Sequence, residues 1–158
     1  MKRPSRVKTP DGVFLWRKAF TTPPLTQEGV AADQEGWQID ATGNRTVKLH
    51  EFTRVKEAVP GSATLQTFRA KMKSRDLQGK ARLELIGQVP EAGKKGRLIS
   101  RGPDMPLTGT TDWASFETSF RCEKDQPLPR EFKLNLVIEG KGTVWTKDIE
   151  LLRGPAPK

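Results

Sequence analysis

LTGTTDWASFETSFRC (residues 107–122) and EFKLNLVIEGKGTVWTKDIELL (residues 131–152) decide the fold class of this chain. Apolar and polar residues alternate over residues 116–120 and again over residues 132–138, and a period of two is typical of half-buried β-strands. Gly140-Lys141-Gly142 then predicts a turn, because glycine adopts a positive φ at little cost. Three consecutive antiparallel strands are therefore expected in this part of the chain.

The preceding residues show the same kind of pattern. Further strand-like segments lie at 13–20, 37–39, 47–49, 64–73, 81–85 and 98–99. Residues 21–36 contain Pro23-Pro24 and are predicted to form a long polar loop, and residues 101–111 carry proline and glycine and lead into Trp113. The chain therefore has about eight or nine strands and no helix, which indicates an all-β fold, a jelly-roll β-sandwich of two antiparallel sheets.

The C-terminal pattern resembles that of a known family. Residues 109–113 read GTTDW, and residues 142–151 read GTVWTKDIEL. The second stretch is similar to the final strand of jelly-roll (galactose-binding-like) carbohydrate-binding modules, which commonly reads G-T-hydrophobic-W-x-D-D-hydrophobic-x-L. Lys147 departs from that pattern, since it stands where the first aspartate usually is. The resemblance covers mainly residues 36–152 and implies a β-sandwich with a binding role.

Length and charge indicate one domain with a basic arm. The 158 residues suffice for one two-sheet core. Of the formal charge of +9, residues 1–18 carry +5, so much of the basicity lies near the N-terminus. We expect a flexible arm at 1–12, a sandwich domain at 13–153 and a short tail at 154–158.

Hydropathy and the N-terminal residues bear on localisation, which stays open. The mean hydropathy of −0.64 predicts a soluble protein, and no stretch reaches the length of a membrane span. The N-terminal residues have positive charges but no apolar segment after them, so they are not an intact signal peptide. The chain would be extracytoplasmic if it belongs to a larger exported protein.

Catalytic residue types are scarce. His50 is the only histidine, and its alternation with Lys48 predicts a surface position. Cys122 is the only cysteine, which excludes an internal disulfide; it continues the Phe116 to Phe120 face and is predicted to be a buried structural thiol. The chain contains no tyrosine, the residue on which jelly-roll polysaccharide lyases generally rely. We therefore predict a protein that is not an enzyme.

No metal or cofactor is expected. One cysteine and one histidine cannot form a closed zinc shell. The family resemblance implies a structural calcium ion near the final strand, with Asp148 as one ligand. Lys147 beside it adds positive charge and disfavours a dication at that position.

Two sets of residues are candidates for ligand binding. The basic residues that alternate with core positions would form one basic patch if their strands share a sheet; they are Lys48, Arg69, Lys71, Lys73 and Arg82. Tryptophans can stack on sugar rings. The resemblance implies that Trp37, Trp113 and Trp145 are packing residues, which leaves Trp16 as the aromatic candidate.

These observations favour a non-catalytic binding or accessory module that binds carbohydrate, with an anionic glycan as the partner that the basic residues suit. The module could be part of a larger protein. A structural or protein-interaction β-sandwich without a sugar site is the first alternative. A binder of polyanions or nucleic acid through the basic face and arm is the second, and nucleic acid is the less favoured partner because no reading motif is present.

Overall fold

The structure is a computed structural model that describes residues 16–20, 24–26, 28–33, 36–52, 63–89, 97–123, 129 and 131–155. Over these ranges the chain forms seven β-strands and no helix, so no helix there is long and apolar enough to cross a membrane. The strands are β1 Trp16–Phe20, β2 Val30–Asp33, β3 Gly36–Ala41, β4 Arg45–Phe52, β5 Thr64–Gln88, β6 Arg97–Cys122 and β7 Glu131–Pro155.

β7 is the strand to which most of the others attach. All recorded pairings are antiparallel, and the main order is β2-β3-β7-β5-β6, with β1 and β4 also paired to β7. The first half of β7 pairs with β4, where Arg45 lies opposite Ile138. The second half pairs with β3 and β1, where Ile39 lies opposite Val144 and Lys18 opposite Leu151. β5 follows β7 along almost its whole length.

The three long strands of 25 and 26 residues each serve two layers. We call layer 1 the part built by β4 with residues 80–88, 97–107 and 131–139. Layer 2 comprises β1, β2 and β3 with residues 64–75, 111–122 and 142–155. Fully buried apolar residues from both layers form one cluster, including Val47, Leu49, Leu83, Leu134, Leu136 and Ile138 from layer 1, and Ile39, Phe68, Met72, Val144 and Leu151 from layer 2. A single layer cannot shield its own face from water, so the two layers pack face to face as a β-sandwich.

The all-β sandwich is confirmed, and over the described ranges its main strands are longer than the sequence indicates. The predicted turn at 140–142 was wrong, because β7 continues through it. β6 runs without a break through residues 101–111. β5 likewise joins two predicted strands. Bulges and glycine conformations bend the strands without reversing them. Conversely, β2 lies inside the predicted loop at 21–36.

Several predictions concern residues outside the described ranges or only partly inside them. The N-terminal arm at 1–12 lies outside them. The predicted strand at 13–20 is observed from Trp16 onward. β7 extends through Pro155, two residues into the predicted tail.

Cys122 is buried, as predicted, with 1% of its surface exposed. Burial raises the pKa of its thiol, although Arg153 and the hydrogen bond from Gln66 act in the opposite direction. Gln66 Nε2 donates to Cys122 Sγ at 3.3 Å, and Gln66 Oε1 accepts a hydrogen bond from Nε of the buried Arg153. The effect of burial outweighs these two groups and keeps the thiol in its protonated, unreactive form.

The predicted surface position of His50 was wrong. The register of β4 against β7 shifts between Lys48 and His50, so the residues after the shift no longer follow the simple alternation. As a result both Leu49 and His50 are buried, and His50 is only 6% exposed. Burial disfavours the charged imidazolium and lowers the pKa of His50 from 6.5 to about 4.

The lowered pKa of His50 makes stability depend on pH in a defined window. Below pH 6.5 the unfolded chain binds a proton at His50 that the folded chain does not bind until about pH 4. The free energy of unfolding should therefore fall between these values, by on the order of 1–3 kcal/mol, and should be unaffected by His50 above the window. Urea denaturation of wild type and of His50→Leu across this range measures the effect. Parallel pH profiles for the two proteins would contradict it.

The bend between the layers depends on two glycines that face each other. Gly79 and Gly140 are cross-strand partners with φ of 129° and 119°, and a Cβ on either would overlap with backbone of the other strand. Gly140→Ala should lower the free energy of unfolding by roughly 3 kcal/mol or more, because strain and overlap add. Gly43→Ala is the matched control, because a Cβ added at Gly43 would have nothing within 4 Å. Thermal denaturation of both variants measures the effect. Equal losses of stability in the two variants would refute the role of the bend.

Candidate functional site

The outer face of layer 2 carries two tryptophans on either side of β5. Trp145 on β7 follows Val144, which is fully buried in the core, so the alternation of the strand directs Trp145 outward. Lys73 of β5 is its cross-strand partner. Trp113 comes from β6, on the other side of β5. Trp113 is half-buried and Trp145 is 8% exposed.

Cations cover these indole rings. Lys73 Nζ lies 5.2 Å from the ring centroid of Trp113 and 4.8 Å from that of Trp145. Lys147 Nζ lies 4.2 Å from the Trp113 centroid, and the Arg75 guanidinium carbon lies 5.3 Å from the Trp145 centroid. Each such cation–π contact contributes about 0.5–1 kcal/mol at an exposed site. We call these five residues the indole face.

The indole face bears on two expectations from the family resemblance, namely the packing of Trp113 and Trp145 and the presence of Lys147 in place of an aspartate. Trp113 and Trp145 were expected to pack in the sandwich; Trp145 is buried, yet basic side chains on the outer surface lie over its ring. Lys147, which replaces the family's aspartate, lies over Trp113. Trp37 is half-buried on β3, opposite Thr146.

Polar side chains of β3 border the indole face. Gln38 is the cross-strand partner of Trp145. Thr143 Oγ1 donates a hydrogen bond of 3.3 Å to Asp40 Oδ1, and Gln38 Nε2 donates one of 3.5 Å to the same oxygen. Asp40 is exposed. An amide, a carboxylate and a hydroxyl therefore lie beside the rings, and these are groups that can hydrogen-bond sugar hydroxyls.

The structure does not bring the five predicted basic residues into one patch. Arg69, Lys71 and Lys73 lie on the outer face of layer 2, whereas Lys48 and Arg82 lie on the outer face of layer 1. The reason is the bend of β5, whose register shifts between Arg75 and Gln78. Since both layers face the common core, their outer faces point in opposite directions. The chain thus has two separate basic surfaces.

Arg69 and Lys71, two of the predicted binding residues on layer 2, lie near carboxylates. Arg69 Nε lies 4.0 Å from Glu117 Oε1, and Arg69 Nη1 lies 3.7 Å from Glu150 Oε1. Lys71 Nζ lies 3.5 Å from Asp148 Oδ2. Lys73 Nζ lies over both indole rings. Of these three residues, Lys73 is the one that belongs to the indole face.

Asp148 lies at a bulge in β7. It has a φ of 53°, and its neighbours pair with β5 on either side of a register shift between Arg69 and Lys71. Its side chain is 60% exposed. Within the described ranges no group of three or more His, Cys, Asp or Glu side chains is arranged to hold a metal ion. Asp148 Oδ2 contacts Lys71 Nζ on this surface.

Trp16 is placed by its backbone only. It begins β1 and is the cross-strand partner of Arg153 on β7. Its side chain lies outside what the structure describes, so its predicted role in ligand binding stays a prediction.

Comparison with known proteins supports the fold. No protein-family model and no curated protein sequence matches the chain. A structure from work on promiscuous specificity in carbohydrate-binding modules of the beta-sandwich superfamily is similar over 94% of this chain and 61% of its own, with a TM-score of 0.51 and 16% identity. This likeness shows that the chain shares the β-sandwich fold of such modules, and the chain spans 61% of that structure's length.

Two further solved structures are similar to the chain. One is a Family 16 Carbohydrate Binding Module-2, which matches 82% of this chain and 79% of its own at a TM-score of 0.40 and 9% identity. The other is the xylan-binding module CBM15, which matches 89% of this chain and 92% of its own at a TM-score of 0.41 and 12% identity.

Burial of Trp145 predicts a large effect on stability. Trp145→Ala should lower the free energy of unfolding by roughly 3 kcal/mol or more, because the variant loses a buried ring and the cation contacts over it. Trp113→Ala should cost less, since that ring is half-buried. Chemical denaturation of both variants measures the difference. An unchanged stability for Trp145→Ala would show that the ring is not a structural element.

Proposed function

We propose that this protein is a non-catalytic carbohydrate-binding module and that the indole face binds an acidic glycan. The observation that carries the proposal is the placement of Trp113 and Trp145 on one outer face with Lys73 and Lys147 over their rings. The fold shared with a carbohydrate-binding module of promiscuous specificity supports the same class of function.

The chemistry of the face suits a sugar that carries a carboxylate or sulfate. The half-buried ring of Trp113 supplies an apolar surface for a pyranose. A lysine ammonium that lies 4–5 Å from a ring centroid can bind a ligand anion at the expense of a cation–π contact of about 0.5–1 kcal/mol. The ion pair with the ligand offsets that loss. A neutral sugar would gain the stacking contact without the ion pair.

Buried nucleophiles and bases support the non-catalytic part of the proposal. His50, the only histidine of the chain, is buried and its pKa is lowered, so it does not present an imidazole to a ligand. Cys122 is buried and its thiol pKa is raised. On the outer face of layer 2, Glu117 and Glu150 are nearly buried and both lie against Arg69. None of these groups is in a position typical of a general acid or base at an open site.

Binding to soluble polysaccharides tests the proposal. We expect binding to polygalacturonate or heparin, measured by affinity electrophoresis and calorimetry, and weaker binding as salt is raised from about 20 to about 200 mM. Galactomannan serves as the neutral glycan. Salt-resistant binding to galactomannan alone would keep the carbohydrate function and refute the acidic preference.

Variants locate the site. Trp113→Ala should weaken binding to the acidic glycan by about tenfold or more, and Lys147→Gln by several-fold, because the first removes stacking and the second removes one charge. Lys141→Gln is the matched control, since Lys141 is exposed at the strand bend. Equal losses for Lys147→Gln and Lys141→Gln would mean that net charge rather than the indole face drives binding.

The remaining outcomes separate the alternative functions. Binding to no glycan would refute the proposal and favour a structural or protein-interaction module of the same fold. Binding to single-stranded nucleic acid as tightly as to heparin, with steep salt dependence, would favour a general polyanion binder that acts through its basic surfaces and arm.

A further inference from the structure

The outer face of layer 1, opposite the indole face, contains a small cavity with a basic lining. Its volume is about 190 Å³, and it is lined by Lys80, Arg82, Arg101, Val137 and Glu139. Lys80 Nζ lies 3.4 Å from Glu139 Oε1, so these two charges offset each other. The guanidinium of Arg82, which is half-buried, has no ion pair or hydrogen bond with any residue that the structure describes. Among the described residues, no carboxylate therefore pairs with this guanidinium.

The second guanidinium in the lining, that of Arg101, is held in place by a buried carboxylate. Arg101 Nε donates a 2.6 Å hydrogen bond to Glu84 Oε2, and Asn135 Nδ2 donates a 2.9 Å hydrogen bond to Glu84 Oε1. Glu84 and Asn135 are both buried. The buried carboxylate fixes Arg101 through Nε and leaves its two terminal nitrogens available to another acceptor. Glu84 is thus a positioning residue for the cavity.

A row of polar residues that includes Arg101 contains one buried atom without a hydrogen bond. Lys48, Asn135, Glu84 and Arg101 are successive cross-strand partners on β4, β7, β5 and β6. Asn135 Oδ1 is buried and has no hydrogen-bond partner among the described residues. A buried acceptor without a donor costs free energy. A carboxylate or sulfate carries no donor, so water rather than the anion would satisfy this oxygen.

We propose that this cavity is an oxyanion-binding site, in which Arg82 and the terminal nitrogens of Arg101 bind a carboxylate, sulfate or phosphate group. Planar guanidinium groups bind such oxyanions through paired N–H donors, which a lysine cannot match. Val137 supplies the apolar part of the lining. The cavity is smaller than the roughly 300 Å³ at which drug-sized pockets begin, so it fits a single charged group or one sugar acid. The site does not depend on the indole face.

An NMR titration of the full chain tests the site directly. Inorganic phosphate, inorganic sulfate, galacturonate and neutral galactose are added separately at constant ionic strength. We expect saturable shifts of backbone amides in residues 80–84, 99–102 and 135–139 with the oxyanions and not with galactose. Saturation with phosphate and galacturonate alike identifies a general oxyanion site, and saturation with galacturonate alone identifies a carboxylate site. Absence of saturable shifts at these residues with every oxyanion would overturn the proposal.

Three variants control for net charge, for the indole face and for folding. Arg82→Gln should weaken oxyanion binding by about tenfold, because a charged hydrogen-bond donor is lost. Lys141→Gln removes the same charge elsewhere and should leave the affinity nearly unchanged. Trp113→Ala should also leave it unchanged, so failure here and failure of the indole face to bind glycan are separate results. Equal weakening by Arg82→Gln and Lys141→Gln would overturn the site.

The variant Glu84→Gln distinguishes the positioning of Arg101 by Glu84 from an effect of net charge. The substitution adds one positive charge to this face, so an effect of net charge alone would strengthen oxyanion binding. Loss of the carboxylate that holds Arg101 should instead weaken oxyanion binding by several-fold. The same backbone amides should still shift during the titration. Stronger binding by Glu84→Gln would overturn the assigned role of the Glu84 contact.

Discussion

The paired bend of β5 and β7 is the constraint on which the architecture depends. Gly79 and Gly140 face each other across the ladder, both with a positive φ, and neither has room for a Cβ. Their conformation lets two hydrogen-bonded strands turn together out of one layer and into the other. The backbone hydrogen bonds of long strands are kept, and the apolar rows of both halves meet in one core.

The same bend explains why the two outer faces differ in character. A strand that passes from one layer to the other presents its outward residues to opposite sides of the molecule. On layer 2 Lys73 of β5 and Lys147 of β7 lie over indole rings. On layer 1 Arg101 is bound by a buried carboxylate, Glu84. Basic residues therefore contact indole rings on one layer and a carboxylate on the other. The formal charge of +9 indicates neither arrangement.

Much of the fold could be predicted from local pattern, because alternation reports which side of a strand is buried. The rows at 132–138 and 68–72 and the burial of Cys122 are confirmed. The errors occur where a strand departs from regular geometry. A register shift before His50 brings two successive residues into the interior. Gly140-Lys141-Gly142 matches a hairpin turn in sequence, yet the ladder to β5 continues through it. Local pattern cannot separate a bend from a turn, because glycine permits both.

The sequence by itself determined the all-β class, the apolar faces of the main strands and the residue types available for binding, because these depend on neighbours two residues apart. Only the tertiary structure decided which of those residues meet. Trp113 and Trp145 are 32 residues apart in the chain, yet Lys73 of β5 lies over both rings. Arg82 and Arg101 line one cavity on the opposite layer, while Lys73 lies on the indole face. The physical reason is that cross-strand register and the bend between the layers are set by pairing between distant segments, which no local spacing contains.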